Sequence, residues 1–584
     1  MKKIFLSALC LLALQANAQS VIAVVYDGNT ATVDIPTDVT DVTYTIDGAD
    51  VTINSATTSQ EYQYTLSGSS SNGSFTLNGS YKLTLELAGL NLTCQSTKKP
   101  AIDIECGKRI AVQLKKGTTN TVVDAANGKQ KAAIYFTGHP EFGKSGVLNV
   151  TGNTKHAISA KEYFQIKGSC VINVLGAVSD GIHCGKASID GPASEHNYFL
   201  CDGGTINVSN VGGDCIDADD YGCMTITDGT LNLNVTADDV KALSCDHTFS
   251  MTGGNVNINI TGNDCDGISN YGGATFSGGD LNIFAAGNGS KGIKCKVRDG
   301  SDGKDPIVSS TAGCAIFNGA SVEVVACGFN YNTSADFAVP ACVSIENGGK
   351  MTMTDGDVTL RTAGPDAKDI RLEDSKCTKS LEGGTLLCCS EVALDVPASG
   401  WTTMYLGIPV AIPDGVNVYY AKGIDGNTAQ LKQIQGVVPA GTPVLVKAAA
   451  GKVHFNYPVE NVLSPSNMVA PSPIEDNLFE GVMFNTPVAE QEVNVLSPAT
   501  TANSIVFKAL DGETIAWRTA YLPTEALAGA DINNVQFVVE SPTGINDISV
   551  NNTDKSGIRY NVAGQRVGND YKGIVIIDGV KVIQ

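Results

Sequence analysis

A period of 25 residues governs what this chain can fold into. From Gly204 three segments align without a gap: GTINVSNVGGDCIDADDYGCMTITD, GTLNLNVTADDVKALSCDHTFSMTG and GNVNINITGNDCDGISNYGGATFSG. A fourth copy opens with GDLNIFAAGNGSKGIKCK at Gly279, and earlier copies start at Ser145 and Ser169, the latter with a short insertion near 191–198. Each unit holds three patches of alternating apolar and polar residues: an x-Asn-x strand, a Gly-Ile-x-x strand, and a third such as Phe249-x-Met251. Gly, Asn or Asp punctuates them. A unit this short cannot bury an apolar face alone, so the copies must stack to make a core. Three short strands and three turns per unit predict an all-β fold, with each unit one coil of a right-handed parallel β-helix. Successive coils would lie at the strand spacing of ~4.8 Å. Propeller blades are excluded, since they need ~40–45 residues per repeat.

Stacking like on like predicts ladders. Leu148/Val150, Ile172/Val174, Ile206/Val208, Leu231/Leu233, Val256/Ile258 and Leu281/Ile283 line one inner wall, and Ile158, Ile182, Ile216, Leu243, Ile268 and Ile293 line the next. Two residues beyond, the inward column reads Ala160, Cys184, Ala218, Cys245, Asn270, Cys295. Cysteine alternating with alanine acts there as a small core filler, which favours buried thiols over disulfides. No CxxC pair occurs to bind a metal through sulfur. Between the members of each apolar pair an asparagine is expected to face outward: Asn149, Asn173, Asn207, Asn232, Asn257 and Asn282. Two readings are open for this column. The amides satisfy one another along the stack, or Asn207, Asn232, Asn257 and Asn282 hydrogen-bond the hydroxyls of a sugar polymer.

The first 18 residues have the pattern of a secretory signal peptide. Lys2 and Lys3 precede an apolar run over 4–14, and Ala16-Asn17-Ala18 gives the cleavage site. The run is too short to span a bilayer, and nothing downstream reaches ~20 apolar residues. The chain is therefore expected to be exported to the cell surface or beyond. Residues 19–80 are expected to form a β cap or strand region, and 81–395 the β-helix. Composition then shifts: both tryptophans, Trp401 and Trp517, lie beyond Pro397, and cysteine disappears after Cys389. Residues 398–545 read as an antiparallel β-sandwich. Residues 546–584 read as a polar linker followed by a small hairpin module.

The charge balance excludes nucleic acid as a partner. Lys and Arg number 39 against 60 Asp and Glu, for a net charge of −21, and phosphate binding needs a basic surplus. Between Gly204 and Ser290 there are 11 Asp, no Glu and one lysine, Lys241. Asp214, Asp217, Asp219, Asp238, Asp239, Asp264 and Asp266 cluster in the turn around the second strand, so stacking would bring them close on one side. Carboxylates so packed repel unless a cation sits among them. Ca²⁺, which takes 6–8 oxygen ligands, suits such turns; the plainer reading is that Asp is there as a turn former. Lys241 and Lys291 each stand one coil from Asp266. A lysine beside a calcium-bound carboxylate site is what β-elimination of a uronate requires, with the metal acidifying the C–H that a neutral lysine deprotonates. A salt bridge that offsets Asp repulsion is the rival.

The units GGDCIDADDYGCMTITDGTLNLNV, DVKALSCDHTFSMTGGNVNI and GSKGIKCK resemble a bacterial family of secreted carbohydrate-binding parallel β-helix proteins, itself similar to calcium-dependent, pectate-type polysaccharide lyases. The resemblance covers about residues 80–390. It implies binding of an acidic, pectin-like or cellulose-like polysaccharide with bound calcium. Cys215 and Ala242 depart from the pattern, which prefers Gly there, and 298–312 is an insertion. The tail, with Tyr560-Asn561-Val562-Ala563-Gly564-Gln565-Arg566-Val567, resembles C-terminal sorting modules of Gram-negative surface proteins, which implies attachment at the cell surface. The expected function is calcium-dependent, non-catalytic glycan binding. The alternatives are a lyase using Lys241 or Lys291, and a structural adhesin or stalk.

Overall fold

The computed structural model describes residues 19–185, 198–219, 222–301, 305–328, 330, 338–362, 366–389, 391–406, 409–456, 473–482 and shorter stretches up to 583. The expected signal peptide and the linker 546–555 lie outside the described residues. The chain divides into two compact units. One takes in the repeats up to Ala393; the other comprises mainly Leu394–Leu406, Ile412–Val453 and Ser472–Gln584.

The first unit is built on a 17-stranded and a 13-stranded sheet. Successive repeats pair in parallel and in register. Asn207 lies opposite Asn232, Asn232 opposite Asn257, and Asn257 opposite Asn282. In the second sheet Ile216, Leu243, Ile268 and Ile293 follow one another in the same way. Strands from Val21–Asp27 to Gly73–Asn78 pair into these same sheets. Register is fixed because a slip of one residue would turn every apolar side chain out of the core. Leu231, Leu233, Val256, Ile258, Leu281 and Ile283 are all buried, each stabilising by roughly 1.5–3 kcal/mol relative to exposure. Phenylalanines also stack from rung to rung, with ring centroids 5.5 Å apart for Phe249 and Phe276 and 5.1 Å for Phe276 and Phe317.

The expectation of a right-handed parallel β-helix with three strands per coil is corrected on two counts. The third patch of one repeat and the first patch of the next are a single strand, as in Cys223–Val235, Phe249–Ile260 and Ala274–Ala285. Glycine makes this possible. Gly229 and Gly254 have φ of 87° and 78°, a region closed to most side chains, and a Cβ on Gly254 would lie 2.9 Å from the Gly229 carbonyl oxygen. The strand bends there, with the pairing interrupted for a few residues, and resumes against the same neighbour, so a repeat supplies two strands and not three. Furthermore, Leu83–Thr93, Arg109–Leu114, His139–Lys144, Phe164–Ala177, Val147–Gly152 and Thr119–Val123 each pair in parallel with the next, and the last returns to the first. They form a closed six-stranded parallel β-barrel. It arises because the two longest strands each pair with two shorter ones along their length. The fold is all-β, with helix among the described residues limited to short 3₁₀ turns such as Thr524–Leu527.

The described cysteines from Cys94 to Cys388 are free thiols, and most are buried. Burial pushes the Cys170 thiol up to about 11 and Cys201 up to about 12, which leaves them protonated and unreactive at neutral pH.

The second unit differs from the purely antiparallel sandwich expected of it. Trp401–Met404, Val444–Lys447, Asn417–Asp425, Thr428–Ile434 and Gln536–Val539 form a five-stranded sheet, and its last pairing is parallel. Glu480–Val482, Thr519–Pro523, Val493–Ser497 and Val506–Ala509 form a four-stranded antiparallel sheet. Trp401, Tyr419, Leu431, Phe479, Phe507 and Leu522 make its core. At the C-terminus, Arg559–Asn561, Arg566–Val567, Ile574–Ile577 and Val580–Ile583 form a small antiparallel sheet of four strands.

One buried carboxyl gives the first unit a pH signature. Asp103, on Ile102–Glu105, has a buried Oδ1 without a hydrogen-bond partner, and burial, helped by Glu105, raises its pKa from 3.8 to about 6. A raised carboxyl contributes stability fully below its unfolded pKa of about 4 and loses it as pH rises through the folded value. Asp103→Asn is therefore expected to raise the melting temperature at pH 7 and to leave it unchanged near pH 4. Thermal unfolding of both proteins across that range checks this.

Candidate functional site

The second sheet sets polar side chains in a row where its short strands alternate. In Ile182–Cys184 the flanking residues are buried and His183 points the other way; in Ile216–Ala218 Asp217 does the same. Ser159, His183 and Asp217 face one another across successive rungs. His156 opens the strand His156–Ala160 and is only 3% exposed. Asp180, just before its strand, lies 3.0 Å from His156 Nδ1 and 3.2 Å from His183 Nδ1 through Oδ2. Asp217 Oδ2 lies 3.2 Å from His183 Nδ1. The two imidazole rings stack with centroids 4.4 Å apart and planes 8° from parallel.

The charges in this group shape one another. Burial lowers the pKa of His183, but its contacts with Asp180 and Asp217 outweigh burial and raise it to about 9. Burial dominates at His156, whose pKa falls. Asp180 is held well below the usual carboxylate range because the two imidazoles beside it overcome burial.

The aspartates expected to bind calcium are only partly brought together. Asp217 and Asp219 converge with His183, so that one ligand atom from each lies within 4.8 Å of the others. Among the described residues, Asp214, Asp238, Asp239, Asp264 and Asp266 join no comparable group. They serve the turns and neighbouring rungs. Asp214 Oδ1 accepts the Lys241 backbone N–H at 2.8 Å, and burial raises its pKa to about 6. Asp238 Oδ1 accepts the Asn263 backbone N–H at 2.8 Å. Asp239 and Asp264 take the left-handed turn conformation, with φ of 57° and 55°. Asp266 is buried and bonded to Lys294 Nζ at 3.1 Å.

The two lysines differ in setting. Lys241 lies 3.8 Å from Asp214; burial opposes its charge, but Asp214, Asp266 and Asp239 raise its pKa. Lys291, opposite Asp266, is 4% exposed and donates to the Gly289 carbonyl at 2.6 Å. Burial, more than any other cause, lowers its pKa.

The asparagines expected to face outward are an amide ladder. Each Nδ2 donates to the Oδ1 of the preceding rung: Asn207 to Asn173 at 2.8 Å, Asn232 to Asn207 at 2.8 Å, Asn257 to Asn232 at 2.9 Å and Asn282 to Asn257 at 3.0 Å. Asn232 and Asn257 are buried, at 6% and 2% exposure, since each amide is covered by those above and below it.

None of His156, Asp180 and His183 was singled out from the sequence. The signal was there, as a polar residue between buried Ile182 and Cys184. The insertion near 191–198 hid it by lengthening the spacing to the next rung.

Parallel rungs that repeat polar side chains at fixed spacing mark this as a repeat-built β-scaffold protein. More particularly, the chain belongs to the family of carbohydrate-binding domain-containing proteins, whose profile matches residues 47–400. No curated protein matches the chain. A solved structure titled "Structure of the polysaccharide lyase-like protein from C. thermocellum, Gadolinium derivative" is similar at 20% identity and a TM-score of 0.33, over 42% of this chain and 93% of that one. Among the described residues no helix is long and apolar enough to cross a membrane.

The ladder makes its own prediction. Asn257→Ala would strip Asn232 Oδ1 of its donor and Asn282 Nδ2 of its acceptor, at a cost of about 1–3 kcal/mol for each buried group left unsatisfied. Asn54→Ala, at the exposed end of an equivalent pair with Asn78, should cost well under that. Denaturant titration of the two variants makes the comparison.

Proposed function

We propose that this protein binds a polysaccharide without cleaving it, at the cell surface, and that Ca²⁺ takes part in the contact. The observation that carries the reading is the set of exposed carboxylates at the strand ends of successive rungs, on a chain that belongs to a carbohydrate-binding family. Asp219, Asp238 and Asp239 are exposed turn carboxylates, which are hard oxygen donors. They offer too few ligands at any one point to fill the 6–8 positions of Ca²⁺. Carboxylates of an acidic glycan would complete the shell, and the ion would bridge two surfaces that otherwise repel. Repetition along the stack suits a polymer, because many weak contacts add when they are held on one frame. Export and surface attachment rest on the signal-peptide pattern of the first 18 residues and on the resemblance of the tail sequence to sorting modules.

The lyase alternative rests on Lys291, the buried lysine with a lowered pKa. A base must come within hydrogen-bond reach of the proton it takes. At 4% exposure and bonded to Gly289, Lys291 offers a polymer no such approach, which favours binding over cleavage.

Affinity electrophoresis in polygalacturonate gels checks this reading. Retardation is expected with Ca²⁺, to be lost with chelator and weakened by salt, which screens exposed charges. Asp238→Asn combined with Asp239→Asn should reduce it. Equal retardation with and without chelator would remove calcium from the reading, and no retardation on acidic or cellulose-like gels would remove glycan binding. Ultraviolet absorbance of an unsaturated uronate product appearing with wild type but not with Lys291→Ala would make the protein a lyase.

A further inference from the structure

Three features of the His–Asp group are not used by glycan binding. It mixes nitrogen and oxygen donors, it is largely buried, and one donor has nowhere to go. His156 Nδ1 lies 3.0 Å from Asp180 Oδ2, yet it has no aligned hydrogen-bond partner. A pair formed only for its charge would turn the ring N–H onto the carboxylate. Here His156 and His183 instead stack in parallel and bring both Nδ1 atoms to one oxygen. Two imidazolium rings stacked at 4.4 Å would repel, so at least one ring is favoured neutral, the form that ligates a metal.

We propose that His156, Asp180 and His183, bordered by Asp217, form a site for a divalent cation of the zinc class, separate from any calcium at the acidic turns. The ligand atoms have the right spacing. Tetrahedral zinc with bonds of about 2.0–2.1 Å to nitrogen and oxygen holds its ligand atoms roughly 3.3 Å apart. The contacts His156–Asp180, His183–Asp180 and His183–Asp217 measure 3.0, 3.2 and 3.2 Å. The carboxylate is also pre-set. Asp180 Oδ1 accepts the Asp214 backbone N–H at 3.0 Å, which fixes the side chain and leaves Oδ2 for the ion, the kind of outer support that orients metal ligands. Calcium, which takes oxygen ligands, is a poor match for two imidazoles, whereas zinc-class ions accept them. The neighbouring Cys184 lies on the buried face of the same strand, so the donor set holds no sulfur. A bound ion would tie together three successive rungs through His156, His183 and Asp217.

The test uses the full chain, stripped with chelator and then dialysed against Zn²⁺ or Co²⁺ in excess Ca²⁺. About one zinc per chain should survive gel filtration, as a single four-coordinate site requires. Co²⁺ should give visible d–d bands of a tetrahedral nitrogen–oxygen site. Retention should fall at least tenfold in His183→Asn and in Asp180→Asn, and stay unchanged in Asp266→Asn. Zn²⁺ should also raise the melting temperature of the wild type when Ca²⁺ is already saturating, by binding the native state. That measurement decides the matter should either site variant fail to fold by circular dichroism. The proposal is overturned if zinc does not survive, if folded His183→Asn keeps it, if Zn²⁺ leaves the wild-type melting temperature unmoved, or if Co²⁺ shows the near-ultraviolet charge-transfer band of a thiolate. None of these outcomes depends on whether a glycan binds.

Discussion

Everything in the first unit depends on parallel pairing that keeps equivalent residues of successive repeats opposite one another. Because one repeat lies in register on the next, a residue type chosen once is repeated as a column. Leu231, Val256 and Leu281 become a wall, Asn232, Asn257 and Asn282 a ladder, and Met251, Phe276 and Phe317 a further inner column. The apolar columns provide the free energy and the glycines the closeness. At Gly229 and Gly254 a side chain would meet the carbonyl of the rung below, so the bend of these rungs is made where only glycine fits.

This dependence decides how much could be read from the sequence. The period, the inward columns and the buried thiols follow from residue type and spacing alone, and they were visible at once. The number of strands per repeat was not. Gly-Gly pairs such as Gly253-Gly254 read as breaks between strands, whereas the backbone bends at Gly254 with positive φ and pairs again with the same neighbouring strand beyond it. The closed ring was equally hidden, since it comes from unequal strand lengths between Leu83 and Ala177 and has no motif. Alternation put Asn232 and Asn257 outside; the ladder buries them because each amide is roofed by its neighbours.

The candidate sites divide in the same way. Aspartates 25 residues apart could be seen to stack, and Lys241, Asp266 and Lys291 do stand on successive rungs. Which of them converge depends on side-chain direction within each turn. Asp238 turns to Asn263 and Asp214 to the Lys241 backbone, whereas Asp217 meets a histidine 34 residues away. The His–Asp group is the part that sequence reasoning could least assemble. It joins three rungs across an irregular spacing, and its members are of different types.

The amide ladder has a direction. Every asparagine from Asn173 to Asn282 gives its hydrogen to the rung before it, and those from Asn173 to Asn257 receive one from the rung after, so the column is a one-way chain of aligned dipoles. At the next rung Glu323 stands opposite Asn282. A carboxylate cannot donate, and it turns instead to Arg361 at 3.0 Å. The chain of amides thus has a beginning and an end, with a polarity that follows the order of the rungs along the sequence. No single amide can reverse without breaking the bonds on both sides, so the column resists flipping as a unit. It works as a ratchet for alignment: a slip of one residue would set amides opposite apolar side chains and leave their donors and acceptors unpaired.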